Sequence, residues 1–187
     1  MRLFVSIDLP DRLADDIASV QAELEPAAGI RLTDPTQAHV TLKFLGEVDP
    51  ARVDDITEAL EDAVEQAAVG PFEATIGGLG AFPDPSYISV VWLGVTTGAG
   101  AMTELHDAVE SAIVDLGFDP ADHEFTPHAT IARMDHAGGK DRVQRLLREA
   151  DPTIGAFTVE SIALTESTLK AGGPVYETVE RIALPSG

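Results

Sequence analysis

Apolar and polar residues recur with two different periods along this 187-residue chain, and the period switches often enough to predict a mixed fold. Leu3 to Leu9 alternates around Ser6 and Asp8, the repeat of a half-buried strand. Pro10 opens a helix running to about Leu24, because Leu13, Ile17, Val20 and Leu24 fall on one helical face and proline suits a first turn. Pro26 and Gly29 break it, a short strand is expected around Ile30 to Leu32, and Asp34-Pro35 makes a turn. The stretch His39 to Gly46 reads as the next strand and ends at that glycine. Asp49-Pro50 repeats the cap-plus-proline signal, and Val53, Ile56, Leu60 and Val64 mark the buried stripe of a second helix ending near Gly70.

Two strands, Phe72 to Leu79 and Ile88 to Leu93, are expected on either side of a turn-rich loop from Gly80 to Ser86, which carries Phe82, Pro83 and Pro85 and is placed to line a cleft. Met102 to Leu116 reads as a third helix on Leu105, Val109 and Ile113, closed by Gly117. Thr126-Pro127 then leads into a second histidine strand, and Gly138-Gly139 precedes a fourth helix, Lys140 to Ala150, rich in cations at Arg142, Arg145 and Arg148. Phe157 to Leu164 and Val175 to Leu184 close the chain as strands, with Gly172-Gly173-Pro174 turning between them. Strands and helices mix without strict alternation, which predicts an α+β fold of mostly antiparallel sheet.

The histidine strands carry the chemistry. His39-Val40-Thr41-Leu42 and His128-Ala129-Thr130-Ile131 spell His-x-Thr-aliphatic twice, about half a chain apart. Successive strand residues face opposite ways, so His39, Thr41 and Lys43 should share a polar face while Val40, Leu42 and Phe44 share the core face. The same parity joins His128 to Thr130 and puts Arg133 on the wrong side unless the strand bulges or ends there. An imidazole beside a hydroxyl, presented twice, suggests a phosphate site at the seam between two halves. His106 falls in a predicted helix, and His123 and His136 lie in polar loop sequence, so none of the three is assigned to it.

Composition narrows the rest. With 44% hydrophobic residues the chain can bury the core of one domain, 1–187, built as two lobes. No cysteine occurs, which removes disulfides, thiolate catalysis and cysteine-ligated zinc. The start is too short for a signal peptide and no apolar run reaches membrane-spanning length, so a cytoplasmic protein with no membrane partner, monomeric, is expected. Asp and Glu number 32 against 12 Lys and Arg, a formal charge of −20, and only three of the cations are lysine. The acids lie along helical faces rather than in a tail, and self-repulsion on this scale is tolerated where salt screens it, the expectation for a salt-rich cytoplasm.

Residues along nearly the whole chain resemble the 2H phosphoesterase superfamily and, within it, the RNA 2′,3′-cyclic phosphodiesterases once called 2′-5′ RNA ligases. The likeness rests on Arg2 to Leu9, His39 to Gly46, Phe82-Pro83 followed by Val91-Trp92-Leu93-Gly94, Pro127 to Arg133, and Leu164 to Tyr176. It implies a bilobal fold with the two motifs facing across a central cleft, His39 and His128 as the catalytic pair, and Thr41 and Thr130 as their phosphate-binding partners. Where such proteins often carry an arginine before the tryptophan, this chain has Pro85-Ser86-Tyr87. Lys43 and Arg133 complete the candidate substrate contacts, and Tyr87, Phe82 and Trp92 are candidates to stack on a base, with core packing favoured for Trp92.

Opening a 2′,3′-cyclic phosphate requires water to lose a proton, a ribose oxygen to gain one, and the phosphoryl oxygens to be stabilised. Imidazole titrates near neutrality, so one ring can serve as base while the other serves as acid, and no cofactor or metal is called for. Threonine hydroxyls add donors to the non-bridging oxygens without adding charge. The expected partners are RNA ends or small cyclic-phosphate nucleotides, with reversible 2′-5′ ligation as a variant of the same chemistry. A binder of phosphorylated RNA ends without catalysis is the other class considered, but arginines would serve it better than paired imidazoles. A metal hydrolase lacks any His-Glu-x-x-His or other clustered ligand spacing.

Overall fold

The apolar stripes anticipated for three helices are their buried faces, with Ile17 and Leu24, Ile56 and Leu60, and Leu105 and Val109 all buried, and the cation-rich fourth helix buries Val143. The computed structural model describes residues 1–186. Its strands are β1 (Arg2–Asp8), β2 (Ile30–Leu32), β3 (His39–Glu47), β4 (Phe72–Asp84), β5 (Tyr87–Thr97), β6 (His128–Met134), β7 (Thr153–Val159), β8 (Ser161–Lys170) and β9 (Gly173–Ala183). The helices are α1 (Ala14–Leu24), α2 (Val53–Ala67), α3 (Ala99–Asp115) and α4 (Lys140–Glu149). Both Asp-Pro signals form as read: the carboxylates of Asp34 and Asp49 accept from the backbone N–H two residues on and start short 3-10 turns.

All nine strands pair antiparallel, in the order β7-β4-β5-β6-β3-β1-β8-β9 with β2 added beside β6. At the centre, β3 and β6 meet through the single register pair Val40 and Ala129. That weak seam divides the sheet into two lobes. One holds β3, β1, β8 and β9 with α2 and α3 packed on it, and the other holds β6, β5, β4 and β7 with α1 and α4. An approximate two-fold relation maps β1-α1-β3-α2 onto β5-α3-β6-α4. Each helix that links a pair of neighbouring strands crosses to the opposite lobe: α1 lies against β6, and α3 against β3.

Several boundaries differ from the pattern: β8 runs on to Lys170 and β9 begins at Gly173, inside the expected turn, and two further differences lie elsewhere in the sheet. The expected loop over Gly80 to Ser86 is mostly strand, since β4 runs to Asp84 and pairs with β5 down to Asp84 opposite Tyr87. Proline is tolerated there because β7 pairs with β4 only from Phe72 to Gly77, which leaves Pro83 without a neighbour on its outer side, at an irregularity in the ladder with β5. Gly80 is required at close approach, where any Cβ would collide with the Trp92 ring. The expected strand Phe157 to Leu164 is two strands that part at Glu160, one pairing with β4 in one lobe and the other with β1 in the second. Both pieces are apolar and no Gly or Pro separates them, so nothing in the pattern marks the crossing.

Candidate active site

Each histidine strand carries the same irregularity directly after its motif. On β3, Thr41 lies opposite Ser6 and Lys43 opposite Val5, so Leu42 is an extra, bulged residue. On β6, Thr130 lies opposite Trp92 and Ala132 opposite Val91, so Ile131 is extra in the equivalent place. A bulge reverses the side-chain parity beyond it. His39 and Thr41 keep the shared face expected of them, as do His128 and Thr130, but the residues that follow change sides.

Lys43 is the first consequence, and a correction. It does not share the face of His39: its side chain is buried, with Nζ 3.0 and 3.1 Å from the two Glu110 carboxylate oxygens and 2.7 Å from the Asp119 carbonyl. Phe44, assigned to the core by simple alternation, is instead 71% exposed, its ring 6.0 Å from Phe4 on the histidine side. Arg133 is the counterpart of Phe44 and turns the same way; its charge acts on both His39 and His128. The bulge that would admit Arg133 is therefore present, while the contact expected of Lys43 is not made.

Both imidazoles are oriented alike. His39 Nδ1 lies 2.9 Å from the Gln37 carbonyl and His128 Nδ1 lies 2.7 Å from the Thr126 carbonyl. A carbonyl only accepts, so Nδ1 carries the proton in each ring and Nε2 is left for proton transfer. An aromatic edge fixes each plane: Tyr176 stands at 84° to His39 with centroids 5.0 Å apart, and Phe82 at 85° to His128 with centroids 4.8 Å apart. Phe4 backs His39 at 5.0 Å and Trp92 flanks His128 at 5.7 Å. Thr41 and Thr130 are half-buried, each two residues along its strand from the histidine. Beside His39 a cavity of about 190 Å³ opens between Asp8, Gln37, Tyr176 and Thr178.

Burial pushes both rings below the ordinary imidazole value, against the bond from each Nδ1 to its carbonyl, which favours the charged form. Their neighbours then differ. Asp8, directly opposite His39 in the ladder, favours imidazolium there, and Arg133 opposes it. At His128 every charged neighbour, His39, His123 and Arg133, disfavours imidazolium. His128 thus stands close enough to His39 to sense its charge. Tyr87 stands 66% exposed at the tip of the β4–β5 hairpin, outside this cluster. Pattern reasoning missed Phe44, Tyr176 and Asp8; laying the two motifs over one another, so that Phe44 matches Arg133, is the signal that would have placed the first.

Known proteins resemble the chain in both sequence and fold. The family model for the 2′-5′ RNA ligase superfamily matches residues 3–170. A Methanothermobacter thermautotrophicus RNA 2′,3′-cyclic phosphodiesterase is 32% identical over 182 residues, 96% of this chain and 97% of that protein. The Aeropyrum pernix protein of the same name is 35% identical over 176 residues, 94% of each chain. Among solved structures, a Thermus thermophilus protein superposes with a TM-score of 0.80 at 28% identity over 98% of both chains. Escherichia coli LigT complexed with 3′-AMP superposes with a TM-score of 0.78 at 25% identity, covering 99% of this chain and 98% of that one.

Proposed function

The chain belongs to the 2′-5′ RNA ligase superfamily, and from that footing we propose how it works: it is an RNA 2′,3′-cyclic phosphodiesterase, a hydrolase, in which His39 and His128 act as an acid–base pair. The observation that carries the mechanism is the matched tethering of the two rings, each with Nδ1 held by a carbonyl and Nε2 free, on strands that meet at the sheet's centre. His128 Nε2 takes a proton from the attacking water as its oxygen bonds to phosphorus. His39 Nε2 gives a proton to the ribose 3′ oxygen as the P–O3′ bond breaks, leaving a 2′-phosphomonoester and a free 3′ hydroxyl. The charges support this division, since Asp8 favours the protonated form at His39 and cations disfavour it at His128. Thr41 and Thr130 donate to the non-bridging oxygens, and Arg133 supplies the positive charge the phosphate meets.

The bound phosphate is an anion and raises the pKa of the ring nearest to it, so substrate itself helps to charge an imidazole that burial keeps neutral in the free protein. Proton transfer and charge stabilisation are both met by side chains, so the reaction is metal-independent. The −20 charge suits a salt-rich cytoplasm. At about 1 M salt the Debye length is about 3 Å, so recognition of RNA rests on local contacts and the acidic surface no longer repels it. The test is digestion of a cyclic-phosphate oligonucleotide in EDTA and molar KCl with the product followed by phosphorus NMR. A 2′-phosphate is expected. A 3′-phosphate would reverse the leaving oxygen, and a divalent-ion requirement would end the metal-free reading.

A further inference from the structure

Gln21 is one of four buried polar or charged side chains among the described residues, and the acid–base chemistry does not use it. From α1 its Nε2 donates to the carbonyl of Ile131, the bulged residue of the His128 strand, at 3.0 Å, and to the carbonyl of Thr33 at 2.8 Å. The Thr33 N–H donates to that same Ile131 carbonyl at 3.0 Å, and its hydroxyl reaches the Thr130 carbonyl at 3.3 Å. Four residues beyond Thr33 is Gln37, whose carbonyl holds His39. The loop that orients His39 is therefore fastened to the bulge of the other histidine's strand.

The mirror arrangement exists in the opposite lobe. His106 on α3 donates from Nδ1 to the carbonyl of Leu42, the bulged residue of the His39 strand, at 2.8 Å. Its ring stacks on Phe125 at 4.1 Å and 3°. Phe125 precedes Thr126, whose carbonyl holds His128. Lys43 and Glu110 fasten the same loop earlier, at the Asp119 carbonyl and the Ala121 N–H.

We infer that Gln21 and His106 are positioning residues that lock the orienting loop of each catalytic histidine to the bulge of the other's strand, so that the two rings are set relative to each other rather than each to its own lobe. This rests on the two-histidine mechanism. It gives a use to the paired bulges, whose displaced carbonyls are the anchors, and to the crossing of α1 and α3 between lobes, which brings each anchor's donor to the far side. A seam of one ladder pair could not fix the rings by itself.

The experiment compares Gln21→Met and His106→Phe, which keep bulk and lose the donors, with His39→Ala and His128→Ala, using steady-state kinetics, thermal unfolding and nitrogen-15 spectra of labelled histidines. For each positioning variant kcat falls about 10- to 100-fold with KM little changed, because misplaced groups lose the transition state more than the ground state. The spectra are expected to split by loop. In Gln21→Met the His39 ring loses its single Nδ1–H tautomer while His128 keeps it; in His106→Phe the reverse holds. Loss confined to KM, both rings moving together, or neither moving would overturn the inference. If Gln21→Met does not fold, His106→Phe decides alone, since its ring keeps its place on Phe125. Activity surviving in either alanine variant would instead overturn the two-histidine mechanism, whatever the positioning variants show.

Discussion

The strand bearing His39 and the strand bearing His128 share a framework and differ in charge. Each has a bulge after the threonine, a carbonyl two residues back that holds Nδ1, and an aromatic ring set edge-on to the imidazole. Opposite His39 in the ladder stands Asp8; opposite His128 stands Gly94. After the bulges, Lys43 and Phe44 on one strand correspond to Ala132 and Arg133 on the other. The shared framework makes the rings interchangeable in geometry, and the side chains around them do not leave them interchangeable in protonation. In the proposed mechanism an acid and a base thus arise from a repeated motif without any change in the motif itself.

The strongest way to break that comparison is to remove one ring at a time. His39→Ala and His128→Ala are each expected to abolish most of the hydrolysis, and the double variant to lose little more, because acid and base serve one displacement. Strongly unequal losses would mean that one ring works alone. Thr41→Val and Thr130→Val should each cost about 10²–10³ in kcat if both hydroxyls donate to phosphoryl oxygens in the transition state. Single-turnover rates would show whether the two sides contribute alike.

The residues beyond the bulges sharpen the contrast further. Lys43→Met breaks an ion pair whose lysine is 4% exposed and is expected to cost about 3–5 kcal/mol of stability, read by denaturant unfolding, with KM unchanged. Burial pushes the Glu110 carboxyl up, but the Ala121 N–H and Lys43 outweigh it and hold it below its usual range, so the carboxylate stays charged at neutral pH. Arg133→Ala should do the opposite, raising KM by about tenfold, as loss of a charge-assisted bond to phosphate predicts, with little effect on unfolding.

The smallest expected effect is the most discriminating. Asp8 raises the pKa of His39, so Asp8→Asn lowers it further below the ordinary imidazole value. If His39 is the acid, its protonated form is then lost at a lower pH, and the alkaline limb of the pH profile for kcat moves acidward while the acid limb stays. Movement of the acid limb instead would exchange the two roles. Both rings also bear on stability: each titrates lower folded than unfolded, so the unfolded chain binds more protons and stability falls as pH drops below the ordinary imidazole value toward the folded ones.

Much of this was legible in the residues. Three helices followed from apolar spacing and a fourth from the Gly138-Gly139 break before a cation-rich run, the two Asp-Pro caps formed where they were read, and the repeated His-x-Thr marked the strands that meet at the centre. Helix periodicity and caps are local: they depend on neighbours within a turn, which the sequence presents in order. The pairing of each histidine with its threonine survived for the same reason, since two residues along an extended strand return to one face whatever lies across from them.

What only the tertiary structure decided was everything set from across the sheet. Whether Leu42 and Ile131 bulge depends on how β1 and β5 align against them, and that alignment reversed the expected faces of Lys43 and Phe44 and turned Arg133 toward the histidines. The break at Glu160 depends on two ladders in different lobes competing for one apolar run. Asp8 and Gly94 acquire their meaning only as cross-strand partners of the two rings. A sequence by itself determines periodicity, because that is a property of one chain segment. It does not display register, because a ladder is held by hydrogen bonds between segments far apart in the chain, and a slip of one residue exchanges the faces at little local cost.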